Sequence, residues 1–194
     1  MKTFAKIILK IFGWKVEGTF PTQYKKLVIL EAPHTSNLDY FIGMMCIYAS
    51  GVKVNVIIKK EAFFWPLGAL LKKAGGIPID RTGTTNKVDA IAELFNKHET
   101  LNLGITPEGT RSLSKEWRKG YYYIALKAKV PILLASIDYK KKRGHFGPVF
   151  FPSGNYEEDF KIVENYYKGI NAKYPEKYNY SPMYLEKEKE SQSD

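Results

Sequence analysis

The chain has 194 residues, enough for one domain with a substantial buried core. Its 44% hydrophobic and 14% aromatic content argues against intrinsic disorder. The formal net charge of +10 attracts nucleic acid, anionic lipid headgroups or phosphorylated substrates, and charge alone does not choose among them. The single cysteine, Cys46, excludes an internal disulfide, and its apolar neighbours predict a buried thiol.

The first 15 residues predict a basic amphipathic helix. Lys2, Lys6 and Lys10 recur every four residues. The opposite side carries five apolar side chains, Phe4, Ile7, Ile8, Ile11 and Phe12. Such a helix suits an anionic membrane surface, and it equally suits a terminal helix packed on the core with solvated lysines. The lysines interrupt the apolar run and no small-residue cleavage site follows, which argues against a signal peptide.

Apolar, β-branched runs then alternate with helical stretches. The predicted strands are Leu27–Glu31, Lys53–Ile58, Gly76–Ile79, Leu101–Ile105, Pro131–Ile137 and Phe146–Phe151. The predicted helices lie near Leu38–Ala49, Pro66–Lys73, Thr85–Lys97, Tyr121–Ala128 and Glu157–Ala172. This alternation predicts one α/β domain over residues 16–173, with a largely parallel sheet flanked by helices. Residues 174–194 are expected to form a polar C-terminal tail.

Two polar motifs each follow a predicted strand directly. In the first, His34 precedes Asp39 at the start of a helix, and a carboxylate beside an imidazole is the arrangement that a general base needs. In the second, Gly109 permits a tight turn and Arg111 can hold a phosphate. Taken singly, the first motif also fits a loop histidine with a capping aspartate, and the second fits a polar turn with an ion pair between Glu108 and Arg111.

The segment between the motifs has three consecutive aromatic residues, Phe63 to Trp65, flanked by paired lysines. With both motifs it resembles the glycerolipid acyltransferase family, whose bacterial members make phosphatidic acid from lysophosphatidic acid. PHTSNLD resembles the family's first block, KKEAFFWPLGALLKKAGGIPIDR its second, TPEGTRS its third and Val-Pro-Ile at 130–132 its fourth. Pro33 and Thr106 replace residues common in the family, which indicates a divergent branch.

The resemblance implies that His34 is the general base and that Asp39 orients it. It also implies that Glu108, Gly109, Thr110 and Arg111 bind the acceptor's phosphate, with Arg81 and Lys60 of the second block as further candidates for binding substrate. The co-substrate would be acyl-ACP or acyl-CoA, and the acceptor a lysophospholipid or another lyso-lipid such as a lyso-aminolipid. The protein would lie on the inner face of the cell membrane, peripheral and cytoplasmic.

Several other functions fit the sequence less well. Ser36 or Ser112 could serve a Ser-His-Asp hydrolase, but the chain has no G-x-S-x-G elbow. A basic, aromatic-rich chain can bind nucleic acid, but no nucleic-acid-binding motif is present, and we expect no nucleic acid partner. The three histidines are widely spaced and neither an HExxH motif nor a cysteine pair occurs, so we expect no metal and no cofactor. A non-catalytic lipid-binding protein remains the alternative outside enzymes.

Overall fold

The computed structural model describes residues 1–79 and 87–180. The helices described are α1 (Lys2–Ile11), α2 (Asn37–Ser50), α3 (Leu67–Lys73), α4 (Lys87–Lys97), α5 (Gly120–Ala128) and α6 (Tyr156–Tyr167). The strands are β1 (Lys15–Glu17), β2 (Lys26–Glu31), β3 (Asn55–Lys59), β4 (Gly76–Ile79), β5 (Leu101–Ile105), β6 (Ile132–Asp138) and β7 (Arg143–Phe150). Short 3-10 turns cover Lys60–Ala62 and Pro175–Lys177.

All seven described strands form one sheet in the order β1-β7-β6-β2-β5-β3-β4. Every neighbouring pair is parallel except β6 and β7, which are antiparallel. The predicted α/β fold with a largely parallel sheet is therefore confirmed. Strand β2 lies between β5 and β6, so Leu30 pairs with Ile105 on one side and Leu134 on the other. In such sheets the loops at the carboxyl ends of the central strands are the usual ligand site.

The two faces of the sheet are covered by different helices. Alternate residues of β2 point to opposite faces, as strand geometry requires. Leu27 and Ile29 pack with Met44 of α2, while Val28 and Leu30 belong to the larger core formed with α4, α5 and α6. The largest fully buried side chains include Tyr121, Tyr122 and Tyr167. Because both faces are covered, β2 is apolar along its whole length instead of alternating with polar residues.

Helix α1 is present as predicted and is only partly engaged with the domain. Ala5 and Leu9 are buried in a small cluster with three side chains of α2, Ile42, Cys46 and Ala49. The apolar side chains that remain exposed are Met1, Phe4, Ile7, Ile11 and Phe12. Across residues 1–79 and 87–180, no helix is long and apolar enough to cross a bilayer. Cys46 is buried as expected, and burial raises its pKa to about 12.

Three elements differ from the prediction. Strand β1 was not predicted, since three residues carry too little periodicity to be recognised. The last helix ends at Tyr167 and not near Ala172, because the backbone is extended at Lys168, with a ψ of 121°, and left-handed at Gly169, with a φ of +80°. Strand β7 also begins three residues earlier than Phe146.

The first part of the predicted tail packs against the domain. The indole N–H of Trp117 donates to the carbonyl of Asn179 at 2.9 Å, and Tyr178 and Tyr180 lie against the larger core. Residues 181–194 lie outside the described residues.

Candidate active site

The two motifs predicted from sequence meet at the carboxyl ends of the paired strands β2 and β5. The backbone N–H of His34, in the loop after β2, donates to Oε1 of Glu108, in the loop after β5, at 2.9 Å. These residues are 74 positions apart in the chain. The parallel pairing of Leu30 with Ile105 accounts for their meeting, because it places both strand ends at the same level.

His34 and Asp39 are held together by the start of α2. Ser36 caps the helix, its side chain accepting from the N–H of Leu38 at 3.1 Å, and Asp39 completes a capping box. Asp39 is 1% exposed, and its Oδ2 accepts the backbone N–H groups of Thr35 at 2.6 Å and Ser36 at 2.7 Å. The same Oδ2 lies 3.8 Å from Nδ1 of His34. This leaves Nε2 of the imidazole as the nitrogen available to a substrate.

The environment of His34 favours the neutral imidazole. Burial lowers the pKa of His34, with a smaller contribution from the positive charge of Arg111 in the same direction. The nearby Asp39 carboxylate opposes this and raises the pKa. A neutral ring beside a carboxylate can accept a proton and is then stabilised as imidazolium.

Sequence reasoning did not find a third partner of this pair. The phenol of Tyr139, one residue past the end of β6, donates to Oδ1 of Asp39 at 2.5 Å. The two residues are 100 positions apart, and an isolated tyrosine at a strand end carries no motif that would have revealed the contact.

His34 lines a cleft of about 730 Å³, within the usual range for a small-molecule site. Much of its wall is apolar and comes from β2, α2 and β3, including Ile29, Met44, Ile47, Val56, Ile57 and Ile58. Its polar lining includes Thr106, Gly109, Thr110, Arg111, Arg118 and Lys87. An apolar wall and a basic, hydrogen-bonding surface therefore share one cleft with the candidate base.

Two further carboxyl groups lie beside the pair. Glu108 is 4% exposed, and burial raises its pKa to about 7 although two backbone N–H groups oppose this. Glu31, at the end of β2, has a pKa raised to about 8, chiefly by burial and then by the charges of Asp39 and Glu108. Among the described residues, neither Oε1 of Glu31 nor Oε2 of Glu108 has a hydrogen-bond partner.

The glycine of the second motif makes room for a residue that the sequence analysis had not assigned to the site. Gly109 has a φ of +62°, and a Cβ there would lie 2.6 Å from Nε of Arg118. The backbone N–H of Arg118 also donates to the carbonyl of Pro107 at 2.8 Å. Arg118 therefore folds back over the turn.

Some of the other predicted substrate-binding residues line the cleft and others do not. Arg111 and Thr110 line the cleft, and the guanidinium of Arg111 donates to the side-chain oxygen of Asn37. Lys60 is exposed at the start of its 3-10 turn and is not among the described residues that line the cleft. Arg81 lies outside the described residues. Within residues 1–79 and 87–180, no three His, Cys, Asp or Glu side chains are arranged to hold a metal ion.

The sequence profile of the family described as Acyltransferase matches residues 14–138, more than half of the chain. The chain belongs to the acyltransferase family. The matched range includes His34, Asp39 and the whole second motif, so the site described above lies within the family's domain.

Among the known proteins similar to this acyltransferase are one from Homo sapiens and one from Thermotoga maritima. Human 1-acyl-sn-glycerol-3-phosphate acyltransferase beta is 26% identical over 137 residues, which are 67% of this chain and 49% of the human protein. The chain thus spans about half the length of that relative. The crystal structure of the 1-acyl-sn-glycerophosphate (LPA) acyltransferase PlsC from Thermotoga maritima superposes with a TM-score of 0.60 at 22% identity. It covers 85% of this chain and 74% of the other, and shows that the two share a fold.

Proposed function

We propose that this acyltransferase moves a fatty acyl group from acyl-ACP or acyl-CoA to the free hydroxyl of 1-acyl-glycerol-3-phosphate, giving phosphatidic acid. The observation that carries the proposal is the position of His34. The imidazole lies beside the buried carboxylate of Asp39. It lines the same cleft as the apolar wall and the side chains of Arg111 and Arg118. The name of the human relative, 1-acyl-sn-glycerol-3-phosphate acyltransferase beta, supports the choice of acceptor.

The reaction needs one proton to be moved. Nε2 of His34 takes the proton from the acceptor hydroxyl as its oxygen attacks the thioester carbonyl carbon. The C–S bond then breaks, and the imidazolium returns the proton to the leaving thiolate. Asp39 keeps the proton-bearing Nδ1 directed towards itself and stabilises the transient positive charge. The separation of 3.8 Å is longer than a hydrogen bond, as catalytic contacts often are before substrate binds.

The basic and the apolar residues that line the cleft are suited to different parts of the substrates, the phosphate and the fatty acyl chain. Arg111, Arg118 and the hydroxyl of Thr110 are suited to the acceptor's phosphate, since guanidinium groups bind phosphate oxygens in pairs. Gly109 shapes the turn that presents them, and Glu108 fixes that turn to the loop of His34. The apolar wall formed by β2, α2 and β3 is suited to a fatty acyl chain.

The exposed apolar side of α1 is suited to a membrane surface. Its lysines, Lys2, Lys6 and Lys10, are exposed as well, so the helix offers both apolar contact and attraction to anionic headgroups. In this proposal residues 1–15 attach the domain to the surface where lysophospholipid acceptors reside. The protein would act at the inner face of the cell membrane, where acyl-ACP and acyl-CoA are supplied from the cytoplasm.

The test is acyl transfer from labelled acyl-ACP and acyl-CoA to lysophosphatidic acid, glycerol-3-phosphate and a lyso-aminolipid, with His34→Ala and His98→Ala compared. His98 is an exposed histidine at the end of α4 and serves as the matched control. We expect wild type and His98→Ala to form phosphatidic acid and His34→Ala to lose on the order of 10²–10⁴-fold in rate.

Other outcomes would revise the proposal in distinct ways. Transfer only to the lyso-aminolipid would replace the acceptor and keep the chemistry. Equal rates for wild type and His34→Ala would remove His34 from the mechanism. Binding of lysophosphatidic acid without transfer to any acceptor would identify a lipid-binding protein.

A further inference from the structure

Both side-chain oxygens of Asp39 accept hydrogen bonds. Its Oδ2 accepts two backbone N–H groups and faces His34, whereas its Oδ1 accepts the phenol of Tyr139 at 2.5 Å. A carboxylate held at only one oxygen can turn about its terminal bond, because that torsion has a broad minimum. The contact from Tyr139 fixes this rotation and so determines which oxygen faces the imidazole.

We propose that Tyr139 is a positioning residue for the His34–Asp39 pair. The inference deepens the proposed function, because it adds a third member to the group that moves the proton. Tyr139 does not touch the substrate in this scheme. It acts through Asp39, by holding the carboxylate in the plane that directs Oδ2 towards the imidazole.

Tyr139 is itself fixed from two sides. Its ring meets the edge of Trp14 in a T-shaped contact with the centroids 5.2 Å apart. Its backbone N–H donates to the carbonyl of Asn171 at 2.9 Å, and the Asn171 side chain donates in turn to Asp138. A side chain held in this way is a suitable support for a catalytic group, because its own rotamer cannot readily change.

The phenol is in the right protonation state for this role. Burial and the hydrogen bond to Asp39 raise the pKa of Tyr139 above its usual value, so the group remains a donor across the working pH range. The other titratable groups that act on this cluster are Glu31, Glu108, Arg111 and Tyr174. None of these replaces the donor at Oδ1 of Asp39 among the contacts described.

The contact with Trp14 connects the pair to the N-terminal helix. Trp14 lies three residues beyond the end of α1, and its backbone N–H donates to the carbonyl of Leu9 at 2.7 Å. The chain of contacts therefore runs from α1 through Trp14 and Tyr139 to Asp39. The same helix carries the exposed apolar side proposed to meet the membrane.

The deciding variant is Tyr139→Phe, which keeps the ring against Trp14 and removes only the hydroxyl. Its matched control is Tyr166→Phe, which removes a hydroxyl bonded to Ser136 and His145 and leaves Asp39 untouched. We expect Tyr139→Phe to lower kcat roughly tenfold with little change in KM for the acceptor, since the lost bond is to a charged group. In an Asp39→Asn background the same substitution should have no further effect.

A measurement that needs no activity completes the test, namely titration of the histidine ring signals by NMR. Without the phenol, the carboxylate is no longer held with Oδ2 towards the imidazole and the imidazolium loses part of its stabilisation, so the pKa of His34 should fall in Tyr139→Phe. Tyr166→Phe should instead perturb the titration of His145. An unchanged His34 titration in Tyr139→Phe would overturn the inference. Absence of acyl transfer by the wild type, with the His34 shift present, would overturn only the proposed function.

Discussion

The backbone N–H of His34 donates a hydrogen bond to the buried carboxyl group of Glu108 at 2.9 Å, joining the two loops of the candidate active site. Glu108 thus fixes the position of the loop that carries His34. A carboxylate is also poorly suited to contact a phosphate directly, because both groups are negative. Its contribution to acceptor binding would come from fixing the turn that carries Arg111.

Glu108→Gln and Glu108→Ala should therefore behave differently. Glutamine keeps an oxygen that can accept from His34, so we expect a folded protein with most of its activity. Alanine leaves the N–H of His34 without this partner, which costs about 1–3 kcal/mol, and should lower both Tm and kcat. Thermal unfolding and acyl transfer would be measured for both. Equal loss of acceptor affinity in the two variants, with Tm unchanged, would instead indicate direct contact between Glu108 and the substrate.

Glu31 should make stability depend on pH. Burial and neighbouring carboxylates raise its pKa from the ordinary 4.5 to about 8 in the folded protein. Between these values the folded state keeps a proton that the unfolded chain has released, so stability falls as pH rises through this window. Glu108, with a pKa raised to about 7, contributes in the same direction.

Glu31→Gln removes one titrating group while keeping the shape of the side chain. We expect the difference in Tm between pH 5 and pH 8 to be smaller in this variant than in wild type. Glu157→Gln, at an exposed position in the first turn of α6, is the control and should leave the difference unchanged. A Glu31→Gln variant with the same pH dependence as wild type would show that Glu31 titrates near its ordinary pKa in the folded protein.

Arg118 should matter for acceptor binding as much as Arg111 does. Both line the cleft, and Gly109 leaves the space in which the guanidinium of Arg118 lies over the turn. Arg118→Lys keeps the charge and loses the forked donor geometry, so we expect a higher KM for lysophosphatidic acid with a smaller change in kcat. Lys127→Met, on the exposed side of α5, serves as the charge-removal control. Unchanged KM in Arg118→Lys and in Arg118→Met would exclude Arg118 from the phosphate site.

Sequence periodicity was sufficient to predict most of the helices and strands. The strand and helix alternation predicted the parallel sheet, and both motifs were predicted to follow strands directly, as they do in the structure, where His34 contacts Glu108. A helix with Asp39 at its start was also predicted, and α2 begins at Asn37 with Ser36 as its cap. These features depend on neighbouring residues or on the common level of adjacent parallel strands.

Contacts between residues that are far apart in the sequence could not be predicted from periodicity. Tyr139 reaches Asp39 from a strand end 100 residues away, and the guanidinium of Arg118 lies over the turn in the space that a Cβ at Gly109 would enter. The burial of Glu31 depends on α2 lying over the end of β2, where a Cβ at Gly43 would come within 2.6 Å of its carboxyl oxygen. None of these contacts follows from a periodic pattern, and each is set by tertiary packing.

The exposed apolar side of α1 gives the last prediction, which concerns membrane attachment. Phe4 and Ile11 are 64% and 69% exposed, so changing them should leave the packing of Ala5 and Leu9 on α2 intact. Phe4→Glu with Ile11→Glu removes apolar contact and adds negative charge facing an anionic surface. Because burying one such side chain contributes about 1.5–3 kcal/mol, we expect partitioning onto phosphatidylglycerol vesicles to fall by at least roughly tenfold.

Ile162→Glu is the matched control, since Ile162 is also exposed but belongs to α6 on the other face of the sheet. Sedimentation with vesicles would be compared with transfer to lysophosphatidic acid dispersed in detergent. Loss of vesicle binding by the α1 variant, with detergent activity preserved, would separate attachment from chemistry. If the α1 variant and Ile162→Glu partition alike, α1 is not the attachment site, and the exposed Phe64 and Trp65 near the start of α3 become the segment to substitute next.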